Sequence, residues 1–320
     1  MSINVLLLAG GVGGAKAAQG LALTASEQDC HYNVRVIGNI ADDEEFHGLW
    51  VSPDIDTLMY TLSGEINTQQ GWGMKNDGNT VLSQLQALGE DTWMFLGDRD
   101  FATHIYRTQR RRQGIRPSQI CRELCTAFGC PLPIILPSDD CIQTRLSTDQ
   151  GELSFQQYFV RERCTPVVNA IEFHGAQQAT PTPEALQAIN DADIIIFAPS
   201  NPLVSIGAIL ATPGLRDAIA KSRAVRLAIS PFIGGRTVKG PADRMLLAQG
   251  LDTSPLSIAS LYDGLIDALV IDESDAGWLS AIEQRGLRAL AAQTLMITDS
   301  DKRRLMDECL AFVEQMEVSP

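Results

Sequence analysis

Three short stretches of this chain hold residues whose types and spacing could do chemistry. The first is Gly10-Gly11-Val12-Gly13-Gly14-Ala15-Lys16. Glycines let backbone N–H groups close on an anion, and a helix starting there points its positive end at the same place. The alternative is a tight strand–helix turn with no ligand. The loop is not a Walker loop, which needs Gly-Lys-Ser/Thr, because Lys16 stands between Ala15 and Ala17. Nor is it the dinucleotide fingerprint, because Lys16 occupies the place of the third glycine. With no strand-packing reason evident for the glycines, a phosphate site is expected at Gly11, Gly13, Gly14 and Lys16.

The second stretch is acidic: Asn39-Ile40-Ala41-Asp42-Asp43, then Pro53-Asp54-Ile55-Asp56-Thr57. Carboxylates at i and i+2 ahead of a helix can hold a hard cation or accept a hydroxyl proton, which makes Asp54 and Asp56 candidates for both. Helix capping by Asp56 or Thr57 explains the same residues without chemistry. The third is Gly97-Asp98-Arg99-Asp100, with His104 one turn later. An arginine between acids is either a surface ion pair or a rigid fork offered to a ligand. A lone helical histidine is more often structural than catalytic. Arg107, Arg110, Arg111, Arg112 and Arg116 read as a solvated helix face rather than an anion site. Turn-forming clusters close the set: Ser138-Asp139-Asp140, Pro199-Ser200-Asn201-Pro202 with Ser205-Ile206-Gly207, and Ser230-Pro231 with Gly234-Gly235.

Such residues need a frame. Asn4–Ala9 is a short apolar run ended by glycines, which predicts a buried strand, then a helix over Ala15–Ala25 and a strand over Val34–Ile37. That is a parallel βαβ unit. Helices are expected near 57–63, 78–88, 101–112 and 117–128, and a strand at Ile134–Leu136. Gln143–Ser147 and Leu153–Val160 flank Asp149–Gly151 as a hairpin. Alternation resumes with a helix behind Thr182-Pro183, strands at Asp193–Phe197, Val225–Ile229 and Ala268–Ile271, and a last helix at 299–315. The expected fold is α/β: a Rossmann-like, doubly wound, mostly parallel sheet in one domain over 1–320, with a helical and hairpin insertion at about 57–165. Ligands of such sheets bind beyond the carboxyl ends of the strands. The repeated Gly/Ser/Asn/Asp turns after strands therefore point to one shared cleft.

Composition narrows the function. The 320 residues carry a formal charge of -14, which disfavours duplex nucleic acid and anionic membrane surfaces as partners. The seven cysteines are odd in number with no C-x-x-C pair, and Cys121 and Cys125 fall on one helix face as buried thiols. With no secretory segment and no apolar run longer than Ala192–Ala198, a reducing, cytoplasmic setting is expected.

Together Gly10–Lys16, Ser52–Thr57, Gly97–Asp100 with Ala102-Thr103-His104, Ser138–Asp140, Pro199–Gly207 and Ser230-Pro231 resemble the 2-phospho-L-lactate transferase family (CofD, FbiA in actinobacteria) of coenzyme F-420 biosynthesis, over about residues 4–275. The resemblance implies a Rossmann-like, dimeric enzyme. It implies that the ribityl hydroxyl of the deazaflavin Fo attacks a guanosine diphosphate esterified to a three-carbon acid, releasing GMP with Mg²⁺ assisting. Asp56, Arg99 and Thr57 would then face the deazaflavin. The glycine loop with Ser200, Asn201, Ser205 and Gly207 would face the guanine nucleotide, and Asp54 and Asp56 the metal. The bacterial-type segments lean towards phosphoenolpyruvate as the acid. At Asn76-Asp77-Gly78-Asn79-Thr80 the chain departs from the family, since relatives carry Asn-Asp-Thr followed by an aromatic. Asp56→Asn and Arg99→Lys are expected to spare folding, because neither residue lies in an apolar run. Two other classes compete. One is a UDP-sugar-binding regulator of the same superfamily, against which Asp54–Thr57 and Gly97–Asp100 count. The other is a nicotinamide oxidoreductase, which lacks its third glycine and an acid near residue 35.

Overall fold

The computed structural model describes residues 2–27 and 31–318; Cys30 lies outside them. The apolar run Ile3–Ala9 is β1, its last five residues buried, as expected of a strand covered on both faces. Gly10 ends it, α1 (Gly11–Ala25) starts at once, and β2 (Tyr32–Gly38) returns parallel to β1. The acidic loop forms a small hairpin, β3 (Glu44–Phe46) and β4 (Leu49–Val51), leading into α2 (Pro53–Leu62) with its proline in the first turn. Next come α3 (Thr80–Ala87), α4 (Asp98–Arg112), α5 (Pro117–Phe128) and β5 (Ile134–Ile135). β6 (Gln143–Thr148), β7 (Gly151–Ser154) and β8 (Val168–His174) make a separate antiparallel sheet in the order β7-β6-β8.

The second half alternates: α6 (Pro183–Asp191), β9 (Ile194–Phe197), α7 (Gly207–Ala211), α8 (Leu215–Lys221), β10 (Val225–Ile229), the hairpin β11 (Phe232–Ile233) and β12 (Arg236–Thr237), α9 (Ala242–Ala248), α10 (Pro255–Leu261), β13 (Ala268–Asp272), α11 (Leu279–Glu283), β14 (Arg288–Ala292) and α12 (Asp299–Val318). Thr182 caps α6, accepting the Ala185 N–H at 3.1 Å.

The central sheet has seven strands in the order β14-β13-β10-β9-β1-β2-β5, every neighbouring pair parallel. Winding runs outward one way through β2 and β5 and the other way through β9, β10, β13 and β14. The switch point, where ligands of doubly wound sheets sit, lies between β1 and β9. Val5, Leu7 and Ala9 of β1 bury into one core with α1, α2, α5 and α12; Leu6 and Leu8 bury into the other with α6, α8 and α10. Against α12, α1 packs backbone to backbone: a Cβ on Gly20 would run into the Lys302 carbonyl.

Beyond β3, β4, β8, β11 and β12, strands that the sequence does not predict, two elements differ from expectation. The strand over Leu153–Val160 stops at Ser154, whose Oγ accepts the Gln157 N–H at 3.1 Å while Gln157 Oε1 accepts the Ser154 N–H at 2.9 Å. This reciprocal pair is a capping box, which turns the chain into a helical stretch. The second is β14, a sheet edge built from Arg, Ala and Leu, residues that favour helices in isolation.

Candidate active site

Five of the seven strands deliver their following turns to one cavity of about 490 Å³. Gly10–Gly13 come from β1, Asp42 from the segment after β2, Pro199–Asn201 from β9, Ser230-Pro231 from β10 and Thr294–Met296 from β14. The shared-cleft expectation therefore holds for these turns but not for Ser138-Asp139-Asp140 after β5, where Asp139 pairs with Arg116 and Asp140 accepts the Thr180 N–H at 2.7 Å.

The glycine loop and the β9 turn clasp each other. Gly10 N–H donates to Ser200 Oγ at 3.1 Å, and that hydroxyl donates to the Gly10 carbonyl at 2.8 Å. A Cβ on Gly13 would strike the Pro199 carbonyl oxygen, and one on Gly14 would meet Ser200 Oγ at 2.8 Å and Ala9 Cβ at 2.9 Å. These glycines thus do have a packing reason, contrary to the reading of the sequence. Gly11 differs: its φ is +59° and a Cβ there would meet nothing.

Asp54 takes the start of α1, accepting the Gly11 N–H and the Asn39 Nδ2–H, the latter at 2.9 Å. The same amide donates to Asp42 Oδ2 at 3.0 Å. Asn39 therefore holds two buried carboxylates together. Burial pushes Asp54 up to about 6, and burial with the Asp54 charge pushes Asp42 well above the carboxylate range. Two other acids of this loop have partners of their own. Asp43 accepts from Ser52 Oγ at 2.7 Å and Trp50 Nε1 at 3.1 Å, and Glu44 accepts from Ser154 Oγ at 2.7 Å.

Asp56 is committed elsewhere. Arg107, buried on α4, binds both its oxygens, one of them at 3.1 Å, and the carboxylate raises the guanidinium's affinity for its proton. An Asp56 whose oxygens are both held by a buried cation is a poor metal ligand or proton acceptor, which corrects the pairing of Asp54 with Asp56. It also removes the expectation that Asp56→Asn leaves folding untouched. The solvated arginine face is corrected at Arg107 alone; Arg112 and Arg116 are exposed and Arg110 and Arg111 partly so. Arg107 is inside, Arg110 pairs with Glu123 at 2.7 Å, Arg116 with Asp139 at 2.7 Å, and Arg111 lies 4.1 Å over the Trp50 ring.

Arg99 does not reach the cavity. It is half-exposed, paired with Glu65 at 2.7 Å and bonded to the Lys75 carbonyl at 3.2 Å. Its acidic neighbours cap helices instead of bracing it. Asp98 accepts the Val81 N–H at 2.8 Å at the start of α3, and Asp100 accepts the Gly97 N–H at 3.3 Å at the start of α4, where Asp77 also accepts the Arg99 N–H at 2.8 Å. Gly78 and Gly97 make room for this exchange, since a Cβ on either would run into the other helix's capping aspartate.

Of the other expected residues, Gly11, Gly13, Lys16, Asp54, Asp56, Thr57, Ser200, Asn201 and Ser205 line the cavity. Gly14 and Gly207 lie behind it, Gly207 packing under the Pro202 carbonyl. Asn201 Oδ1 caps the turn after it through the Leu203 and Val204 N–H groups at 3.0 and 3.3 Å. Among the described residues that line the cavity, the ammonium groups are Lys16 and Lys239. Each holds a backbone carbonyl, Met296 O at 2.6 Å and Gln70 O at 2.8 Å. Burial, then the charges of Lys239 and Lys302, lower the Lys16 pKa. The wall also carries aromatic rings. Trp72 meets Phe95 edge-on at 5.9 Å, and the capping box at Ser154 stacks Phe155 on Phe159 at 5.6 Å.

Sheet order, switch-point cleft and glycine turn define a Rossmann-like α/β protein with its site between β1 and β9. The family model "2-phospho-L-lactate transferase CofD" matches residues 5–309. Phosphoenolpyruvate transferase of Streptomyces griseus is 42% identical over 95% of this chain and 96% of its own length. 2-phospho-L-lactate transferase of Methanococcoides burtonii is 34% identical over 91% and 94%. A solved structure from Bacillus halodurans, a member of the upf0052 family, matches with a TM-score of 0.63 at 16% identity, covering 97% of this chain and 99% of that one, a likeness of fold. The chain belongs to the CofD transferase family.

Proposed function

We propose that this enzyme transfers a phosphorylated three-carbon acid from a guanosine-diphosphate-type donor to the ribityl hydroxyl of the deazaflavin Fo, releasing GMP, in coenzyme F-420 biosynthesis. Phosphoenolpyruvate is the acid favoured by the Streptomyces griseus relative's name. The observation that carries this reading is one cavity lined by two unlike kinds of group. Glycine loop, Lys16 and Lys239 suit a diphosphate; Trp72, Phe95, Phe155 and Phe159 suit a flat heteroaromatic ring. Asp54 joins them, since it caps α1 from the first turn of α2.

In-line displacement at phosphorus needs alignment and charge neutralisation more than covalent chemistry. Lys16 and Lys239 neutralise the donor's anionic end and exchange their carbonyl partners for phosphate or carboxylate oxygens. Mg²⁺ fits the chain at Asp42 and Asp54, two buried carboxylates on one amide whose mutual repulsion a cation would relieve. Bound there with donor oxygens completing its shell, it would supply Lewis-acid stabilisation of the phosphoryl charge. With the metal bound, Asp54 stays an ionised carboxylate, so the attacking hydroxyl's proton passes to the departing GMP or to water rather than to Asp54.

Thermal shift separates the classes. Fo and GDP should each raise the melting temperature, and a UDP-sugar or NADH should not. Stabilisation by the UDP-sugar with no response to Fo or GDP would instead make the chain a ligand-binding regulator.

A further inference from the structure

Arg107 orders a second residue besides Asp56. Its NH1 lies 3.1 Å from Nδ1 of His104 and 3.1 Å from Asp56 Oδ2. A guanidinium only donates, so Nδ1 accepts and the ring proton sits on Nε2. The other tautomer would set N–H against N–H, and its route to Asp56 Oδ2 spans 3.7 Å, too long for a hydrogen bond. Burial, aided by Arg107 and opposed by Asp56, pushes the ring down to about 4, so it stays neutral. His104 is 2% exposed, yet Nε2 has no partner among the described residues, and the ring lines the cavity beside Asp56, Thr57 and Tyr60. Buried donors of this kind ordinarily find acceptors.

We infer that His104 is an acceptor-substrate recognition residue: its Nε2–H donates to a neutral carbonyl oxygen or ring nitrogen of the heteroaromatic acceptor, with Arg107 as the positioning residue that sets the tautomer. A neutral atom is specified because the ring itself is uncharged, the nearby cation, Arg107, is already taken up by Asp56, and Asp100 lies on the same wall. The donor's charge belongs at Lys16 and Lys239. The inference rests on the acceptor proposed above.

Nitrogen-15 NMR of histidine-labelled protein tests it directly. The chain has four histidines, so a His104→Gln spectrum assigns the ring. Without ligand the expected signals are a protonated Nε2 and an unprotonated Nδ1. Fo should shift Nε2–H and GDP should not. His104→Leu should bind Fo about tenfold more weakly, with His104→Gln, which keeps a donor, recovering part of the loss and GDP affinity unchanged in both. A proton on Nδ1 overturns the inference. So does Fo binding to the wild type with Nε2 unmoved, which leaves the acceptor reading standing. Wild-type protein that does not bind Fo at all overturns both. If His104→Leu does not fold, the wild-type tautomer and the Fo-induced shift decide.

Discussion

Replacing Asp54 by Asn should make the ligand-free protein more stable while removing its activity. Asp54 is buried beside Asp42, and its carboxyl is raised from 3.8 to about 6 by burial. A group that holds its proton more tightly folded than unfolded binds extra protons in the native state, so ionising it destabilises the fold. The penalty is absent below the unfolded value near 3.8, grows as pH rises, and is complete above about 6. Two pKa units correspond to about 3 kcal/mol. Asn carries no charge but offers one acceptor oxygen where Gly11 and Asn39 both donate, which returns about 1 kcal/mol. The variant should therefore be more stable by about 2 kcal/mol above neutrality and slightly less stable near the acid end. Urea denaturation of both proteins from pH 4 to 8 reads this crossing, alongside turnover, which should fall at least about 100-fold. A stability difference that does not change with pH, or a loss of stability at pH 8, would refute the electrostatic reasoning.

Asp56→Asn should behave oppositely, losing about 3–5 kcal/mol because it strands the buried Arg107 charge; denaturation measures it, and a loss under 1 kcal/mol contradicts the buried pair. Gly13→Ala should cost about 1–3 kcal/mol and weaken GDP binding, because the new methyl meets the Pro199 carbonyl; calorimetry with GDP checks it. Arg99→Lys should change Fo affinity by less than about threefold, since an exposed pair to Glu65 is worth little; a tenfold loss in a fluorescence titration would return Arg99 to the site. Chelation by EDTA should stop turnover and Mg²⁺ should restore it, while full activity in chelator would remove the metal from Asp42 and Asp54.

Much of the frame is legible in the sequence because parallel strands buried on both faces leave unbroken apolar runs. Val5–Ala9, Ile194–Phe197 and Ala268–Ile271 are such runs. β14 is not, because an edge strand of Arg, Ala and Leu owes its form to pairing with β13. The glycine loop, Asp54, Ser200 and Lys16 are legible since each follows a strand end. Residues joined only by the fold escaped it. Arg107 reads as one more arginine in a basic helix until Asp56 is seen 51 positions away. Asp42 gains meaning only beside Asp54, and Lys239 reaches the cavity from a hairpin with no motif. Local signals existed for two further points: Ser154-Phe155-Gln156-Gln157 has capping-box spacing, and the Asp77/Asp98 exchange is flagged by Gly78 and Gly97.

The central claim is a transfer reaction, and weighing its products tests it. The protein is incubated with Mg²⁺, Fo and, in separate vessels, guanosine diphosphate esters of phosphoenolpyruvate-, lactate- and glycerate-type acids. Mass spectrometry should find GMP and, in equal amount, Fo carrying the phosphorylated acid, with the phosphoenolpyruvate-type donor fastest. Unmodified Fo with no GMP in every vessel, from protein shown to be folded and to bind Fo, would contradict the account.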